Sequence, residues 1–63
     1  MQKVEIYGEI KAETDMAILF TDGVTECWLP KSRIEILNEE DIKGERLAEI
    51  NIEEWLAYEK GLI

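Results

Sequence analysis

The sequence contains no histidine, one cysteine and one proline in 63 residues. Without histidine, the chain cannot form zinc sites of the Cys/His kind or the Ser-His and Cys-His relays of hydrolytic enzymes. Its one cysteine, Cys27, cannot form an intramolecular disulfide, and the N-terminal residues MQKVEIYG lack the basic and then apolar layout of a secretion signal. The sequence therefore predicts a cytoplasmic protein with neither a Cys/His zinc site nor a histidine base.

Basic residues are also scarce, and no apolar run is long. Seven Lys and Arg stand against fifteen Asp and Glu, and the resulting net charge of -8 repels phosphate backbones and anionic membranes. The longest apolar stretch, residues 16–20, is too short to cross a bilayer. With 46% hydrophobic residues, however, the chain is too apolar for a disordered acidic tail. We expect one folded domain over residues 1–63, for which nucleic acid is a poor first partner.

The first half of the chain shows the alternation that is typical of half-buried strands. Val4, Ile6, Ile10 and Ala12 alternate with polar residues, which predicts a strand over residues 3–12. Gly8 inside this pattern predicts a bulge or a sharp bend, a feature that lets a small sheet curl. The next two strands are predicted over residues 16–21 and 24–29.

Asp22-Gly23, between these two strands, favours a type I′ hairpin with a two-residue loop. In that register Met16 lies opposite Leu29 on the core face of the sheet. Trp28 lies on the other face, over the small side chain of Ala17. A one-residue slip in the register would exchange the two faces.

The second half of the chain predicts two more short strands and a helix. Pro30 ends the third strand because it lacks a backbone donor, and alternation resumes over residues 33–37. Residues 38–41 are then predicted as an acidic loop and residues 47–50 as a fifth strand. The predicted fold class is mainly β (α+β), with four or five antiparallel strands curled into a small barrel or a strongly bent sheet and one short C-terminal helix.

The helix is predicted over residues 52–60. Asn51 is a suitable N-cap, Glu54 completes a capping box, and Ile50 and Trp55 occupy the positions of a hydrophobic staple. Gly61 is the expected C′ residue. A helix this short must dock on the sheet to be stable. The docking residues are expected to be Ile52, Trp55 and Leu56.

An aromatic side chain, a proline and two cations cluster in residues 28–33. One interpretation is structural, in which Trp28 covers the barrel and the segment from Pro30 to Ser32 turns the chain. The other is an interface, because Trp and Arg are the commonest anchors of protein-protein contacts. The candidate protein-binding residues are Leu19, Glu26, Trp28, Pro30, Lys31, Ser32 and Arg33.

A second candidate site is an acidic patch around the predicted loop. It is interpreted as a solvated loop, as a mimic of phosphates toward a basic partner, or as a divalent-cation site, although no Asp-x-Asp-x-Asp-Gly loop supports the last. Cys27 falls on the predicted core face, where an inert thiol is expected, and nothing pairs an acid with a base at catalytic spacing. We expect neither an enzyme nor a bound metal or cofactor. The acidic patch consists of Glu35, Glu39, Glu40, Asp41 and Glu45.

The segment AILFTDGVTECWLPKSRIEI resembles a class of small phage and prophage proteins in which a short hairpin leads into Trp-[Ile/Leu]-Pro-Lys-Ser. The segment EEWLAYEKGLI is similar to the helical tail that often closes such proteins. Together they cover residues 17–36 and 53–63, about half of the chain. Arg33 stands where a polar residue such as Gln is expected, which makes the site more basic. The resemblance implies a mobile-element origin. Because the class has no assigned biochemical activity, the resemblance implies no catalytic residues.

Three functions follow from these features as hypotheses. The first is a small acidic phage protein that inhibits or modulates a host nucleic-acid machine, as anti-defence or anti-CRISPR proteins do, by binding a basic host protein in the host cytoplasm. The second is an accessory protein of phage DNA replication or recombination that binds single strands through Trp28, Lys31 and Arg33. The third is a self-assembling structural protein that buries Trp28 in a homodimer.

Overall fold

A computed structural model of the chain describes residues 2–63, so Met1, the first residue of the predicted domain, lies outside the described residues. Five strands form a single sheet in the order β3-β2-β1-β5-β4, and every neighbouring pair is antiparallel. The mainly β fold with one short C-terminal helix is therefore confirmed. Across residues 2–63, no helix has the length and apolar character that a membrane span requires. The elements are β1 (Lys3–Glu13), β2 (Ala17–Thr21), β3 (Glu26–Pro30), a 3₁₀ turn (Lys31–Arg33), β4 (Ile34–Ile42), β5 (Glu45–Glu53) and α1 (Glu54–Glu59).

The sheet is open but strongly bent. β3 and β4 are its two edges, and no ladder joins them within the described part of the chain, so the predicted barrel is not confirmed. In a flat sheet these edges would lie about 19 Å apart, four spacings of roughly 4.8 Å. The 3₁₀ turn between them has three residues, and such a turn advances only about 2 Å per residue. The sheet must therefore bend until the end of β3 approaches the start of β4.

The buried side chains lie on one face of the bent sheet, which we call the inner face. Alternation places them there, because successive residues of a strand point to opposite faces. The helix α1 adds Leu56 and Ala57 to this face, and Leu62 follows from the chain end. The core consists of Ile6, Ile10, Ile18, Phe20, Leu29, Ala48, Ile50, Ile52, Leu56, Ala57 and Leu62.

The β2–β3 hairpin has a four-residue loop, residues 22–25, so the predicted two-residue loop at Asp22-Gly23 is wrong. Strand pairing begins at Thr21 and Glu26 and places Trp28 opposite Leu19, where Ala17 was predicted. The register differs from the predicted one by two residues. Because side chains alternate with a period of two, every side chain that stays in the ladder keeps its predicted face, and Trp28 lies on the outer face.

The Asp22 side chain accounts for the longer loop. Its Oδ1 accepts hydrogen bonds from the backbone N–H groups of Val24, at 2.9 Å, and Thr25, at 2.7 Å. These bonds stabilise the four-residue loop over residues 22–25, so the chain adopts this loop in place of the predicted two-residue turn. The shift also moves Met16 out of the ladder and away from Leu29, and leaves its side chain 77% exposed.

The tight hairpin turn of this fold lies instead at Lys43-Gly44. Both residues have positive φ, 54° and 83°, as a type I′ turn requires. β4 therefore continues through the predicted acidic loop to Ile42, and β5 begins at Glu45. The predicted strand over residues 47–50 lies within β5, and the predicted strand over residues 33–37 lies within β4 except for Arg33, which belongs to the 3₁₀ turn. The acidic residues extend β4 because pairing along β5 outweighs their low strand propensity.

The helix starts later than predicted because its predicted N-cap belongs to β5. Asn51 pairs with both Glu5 and Glu35 and therefore cannot cap α1. The first helical residue, Glu54, donates its N–H to the carbonyl of Gln2 at 3.0 Å. The capping box and the staple are thus absent among the described residues. Of the predicted docking residues, Ile52 belongs to β5 and contributes to the core from that strand.

The predicted helix end is confirmed. Gly61 has a φ of 78° and donates its N–H to the Tyr58 carbonyl at 3.1 Å, while the Leu62 N–H reaches the Ala57 carbonyl at 2.8 Å. These two bonds define a Schellman motif. They turn the chain back so that Leu62 reaches the core.

Gly8 marks a close approach between strands, and the predicted bulge lies elsewhere. Gly8 pairs regularly with Ala48, whereas the β1–β2 register shifts between Ile10 and Ala12. A Cβ atom on Gly8 would lie 2.1 Å from the Thr21 carbonyl oxygen and 2.6 Å from a ring carbon of Phe20. The bend of the sheet therefore leaves no room for a side chain at this position.

We expect Gly8→Ala to lower the free energy of unfolding by at least the upper end of the overpacking range, about 1–3 kcal/mol. The control is Gly23→Ala, where the new Cβ meets nothing within 4 Å and a positive φ alone costs about 1–2 kcal/mol. Urea unfolding followed by circular dichroism measures both variants. A Gly8→Ala variant as stable as Gly23→Ala would contradict the close approach.

Candidate functional site

Four of the predicted binding residues line one groove on the outer side of the molecule. The groove has a volume of about 450 Å³ and lies between the β1–β2 turn and the end of β3. Two lining residues from the β1–β2 turn and one from the start of β2 are absent from the predicted site, because the predicted register places Met16 in the core. The lining residues are Asp15, Met16, Ala17, Trp28, Pro30, Lys31 and Ser32.

Hydrogen bonds of the backbone and of the Thr14 side chain shape this groove. The Thr14 hydroxyl oxygen accepts from the N–H groups of Met16, at 3.3 Å, and Ala17, at 3.1 Å, which shapes the first wall. The Lys31 N–H donates to the Met16 carbonyl at 2.8 Å and ties this wall to the 3₁₀ turn. Ala17 also pairs with Pro30 in the ladder. A turn over residues 13–15 is what the sequence predicts, and the Thr14 side chain stabilises the turn that forms between Glu13 and Ala17.

Trp28 supplies the main apolar surface of the groove. Its side chain is 46% exposed, and its indole N–H makes no hydrogen bond to the described residues. Met16, on the opposite wall, adds an exposed thioether that adapts to different partner shapes. An indole of this kind offers a large rigid contact surface and a free donor.

Lys31 is held at the edge of the groove by an ion-pair chain. Its Nζ donates to the Glu13 carboxylate, which also pairs with Arg46 at 2.9 Å, and Arg46 pairs with Glu39 at 3.2 Å. Hydrogen bonds from Lys31 and then Arg46 hold the pKa of the Glu13 carboxyl below its ordinary value of 4.5. The chain of charges links β1, the 3₁₀ turn, β4 and β5.

The remaining predicted binding residues lie outside the groove. Arg33 faces a second depression of about 140 Å³, which it shares with Lys3, Glu35 and Glu53. Leu19 lies opposite Trp28 on the outer face and is half-buried. Glu26 is exposed at the start of β3. The structure thus separates Arg33 and Glu26 from the groove.

The predicted acidic patch is divided between two faces of the sheet. Glu39 pairs with the buried Ala48 and therefore lies on the inner side, where it binds Arg46. Asp41 lies on the same side and accepts the Gly44 N–H at 3.2 Å. The other three carboxylates of the patch point to the outer face. They are Glu35, Glu40 and Glu45.

A larger acidic surface forms on the outer face of β1, β5 and β4, and we call it the acidic face. It carries seven carboxylates, and Tyr7, which is 62% exposed, lies among them. Within residues 2–63, the one ion pair to these carboxylates joins Lys11 and Glu9 at 3.9 Å. Sequence reasoning missed this surface because it depends on the pairing of three strands. The carboxylates are Glu5, Glu9, Glu35, Glu40, Glu45, Glu49 and Glu53.

Little in the described residues points to covalent or metal chemistry. Cys27 is half-buried on the inner face, and burial raises the pKa of its thiol, which disfavours the reactive thiolate. Within residues 2–63, no group of three or more Cys, Asp or Glu side chains is arranged to hold a metal ion. The groove and the acidic face are the candidate binding surfaces.

We expect Glu13→Gln to change how stability depends on pH. Because the folded pKa of Glu13 is depressed, its ion pairs stabilise the fold above pH 4.5, and this stabilisation is lost as the pH falls through the folded pKa. The stability difference between wild type and Glu13→Gln should therefore shrink on acidification. Urea midpoints measured from neutral to acidic pH at low salt provide the test.

The control for this experiment is Glu59→Gln, an exposed carboxylate of α1 without an ion pair in the described chain. This control gives the effect of removing one surface carboxylate that makes no ion pair. The difference for Glu13→Gln should change more with pH than the difference for the control. An equal change in the two variants would show that the ion-pair chain contributes nothing to the fold.

Comparisons of the chain with protein-family models, with curated proteins and with solved structures find no match.

Proposed function

We propose that this protein acts by binding another protein through the groove beside Trp28. The exposed indole with its free N–H, set in an apolar concavity, is the observation that carries this proposal. Trp is the most enriched residue among interface hot spots, and such anchors sit in concave, desolvated contacts. No catalytic step is part of the proposed function.

The rigidity of the groove supports binding. Backbone hydrogen bonds fix the turn that carries Met16 and tie it to Lys31. A site whose walls are fixed before binding loses less conformational entropy when a partner docks. The half-buried Leu19 lies opposite Trp28 in the ladder, on the same face.

The charge distribution favours a partner with a basic surface. The net charge is -8, and seven carboxylates lie on the acidic face, where Lys3 opposite Glu53 and Arg33 beside Glu35 offset only part of their charge. Such a face accelerates association with a positive surface. Basic surfaces of this kind are typical of nucleic-acid-binding proteins. We therefore propose that the protein occupies the nucleic-acid site of a host enzyme and inhibits or modulates it, which agrees with an anti-defence role for a phage-type protein.

The positions of the cations favour a protein ligand over single-stranded nucleic acid. Lys31 is paired with Glu13, which reduces its attraction for phosphate, and Arg33 faces a different depression from Trp28. Stacking on one indole would have to offset the repulsion from the whole chain. Fluorescence anisotropy with a labelled single strand at low salt should show no binding that depends on Trp28.

The chain offers a matched pair of variants for the groove, Trp28→Ala and Trp55→Ala. The two indoles are similarly exposed, 46% and 43%, but Trp55 lies on α1 and donates its N–H to Glu53. With a partner captured from host extract, Trp28→Ala should weaken binding by about 2 kcal/mol or more, roughly 30-fold. Trp55→Ala should bind like wild type in the same calorimetric titration.

Thermal unfolding of both variants verifies that each remains folded at the temperature of the titration. Equal binding by wild type and Trp28→Ala would contradict the groove as the interface. Glu49→Lys, on the acidic face, should slow association more than it speeds dissociation, and added salt should have the same effect.

A further inference from the structure

β4 is a long edge strand of the sheet, and its outer edge is not paired with another strand of the described chain. It has nine residues, from Ile34 to Ile42, and pairs only with β5 within residues 2–63. Every residue from 35 to 42 is exposed. One row of its backbone N–H and C=O groups therefore has no strand partner in the described chain.

Protection of this edge against pairing is incomplete. Edge strands are usually kept short, bulged, or marked by Pro or by charged residues, Lys above all, so that no other strand can add to them. β4 is long and contains neither Lys nor Pro, and its protection consists of one bulge near Leu37 and four carboxylates, which would repel an acidic strand but attract a basic one. Three of its large apolar side chains are also exposed over about two-fifths of their surface. They are Ile36 at 41%, Leu37 at 42% and Ile42 at 43%.

The charge of β4 identifies the kind of strand that fits this edge. The strand carries four carboxylates and no cation, so an antiparallel copy of itself would place like charges opposite one another. On the outer face, Glu35 and Glu40 have no cation within 4.0 Å among the described residues. An added strand with Lys or Arg at alternate positions would place its cations beside them.

We propose that the free edge of β4 binds an extended basic segment of a partner protein by adding it to the sheet as a sixth strand. Main-chain hydrogen bonds supply the attachment, as in other strand-addition complexes. Cations of the segment face Glu35 and Glu40, and apolar residues on the alternate positions contact Ile36. The groove beside Trp28 is lined by residues 15–17, 28 and 30–32, whereas the added strand would pair along residues 35–42, so the two surfaces use different residues.

The experiment is an NMR titration of the ¹⁵N-labelled protein with a nine-residue peptide of alternating Lys and Val. We expect shift changes and slowed amide exchange over residues 35–42, with affinity that falls as salt rises. A second peptide with Pro in place of each Val has the same charge but cannot complete the ladder. It should bind at least tenfold more weakly.

The variant Glu40→Lys should weaken the Lys-Val peptide roughly tenfold. The control, Glu59→Lys, makes the same change of net charge on α1 and should leave the affinity nearly unchanged. Equal binding of the Pro peptide, or binding without slowed exchange in β4, would reduce the effect to charge attraction and overturn strand addition. Concentration-dependent changes in β4 without peptide would assign the edge to a second copy and overturn the basic segment.

Discussion

The fold depends on the three-residue connection between β3 and β4, the two edge strands of the sheet. This link is too short for a flat sheet, so the strands bend around one core. In this way a chain of only 63 residues buries side chains from every strand except β4. The bend also builds the groove. Pro30 ends β3, and Lys31 then binds the β1–β2 turn through its N–H and Glu13 through its Nζ. The residues that curve the sheet are therefore those that position Trp28.

The sequence predicts which face a residue occupies better than which residue it pairs with. Alternation alone decides the face, so the outward position of Trp28 was predicted correctly from a register that is wrong by two residues. Loop length decides the pairing, and here it depends on side-chain hydrogen bonds of Asp22 that a dipeptide rule does not include. The turn at Lys43-Gly44 escaped prediction because Lys is an uncommon residue at positive φ. The groove required the correct pairing, so Met16 was missed.

The two ends of α1 show the same distinction between local and tertiary signals. The C-terminal signal is local, since Gly61 and Leu62 satisfy carbonyls only three to five residues away, and it was predicted correctly. The N-terminal signal failed because Asn51 is taken up by strand pairing on both sides. Position in the centre of a sheet outweighs a capping preference worth about 1 kcal/mol. The acidic residues of β4 became a strand for the same reason, since β5 is paired along its length.

The acidic face and the core are two results of one alternation in β5. Ala48, Ile50 and Ile52 point inward, and Glu49, between them, points outward with Glu45 and Glu53 at four-residue intervals. The cation of this strand, Arg46, falls on the inner side, where Glu13 and Glu39 neutralise it. A strand that buries its apolar residues in this register therefore also concentrates negative charge on its other face, where Lys3 opposite Glu53 offsets part of it. Because a one-residue slip would bury those carboxylates, the stability of the core fixes the negative surface that a basic partner would meet.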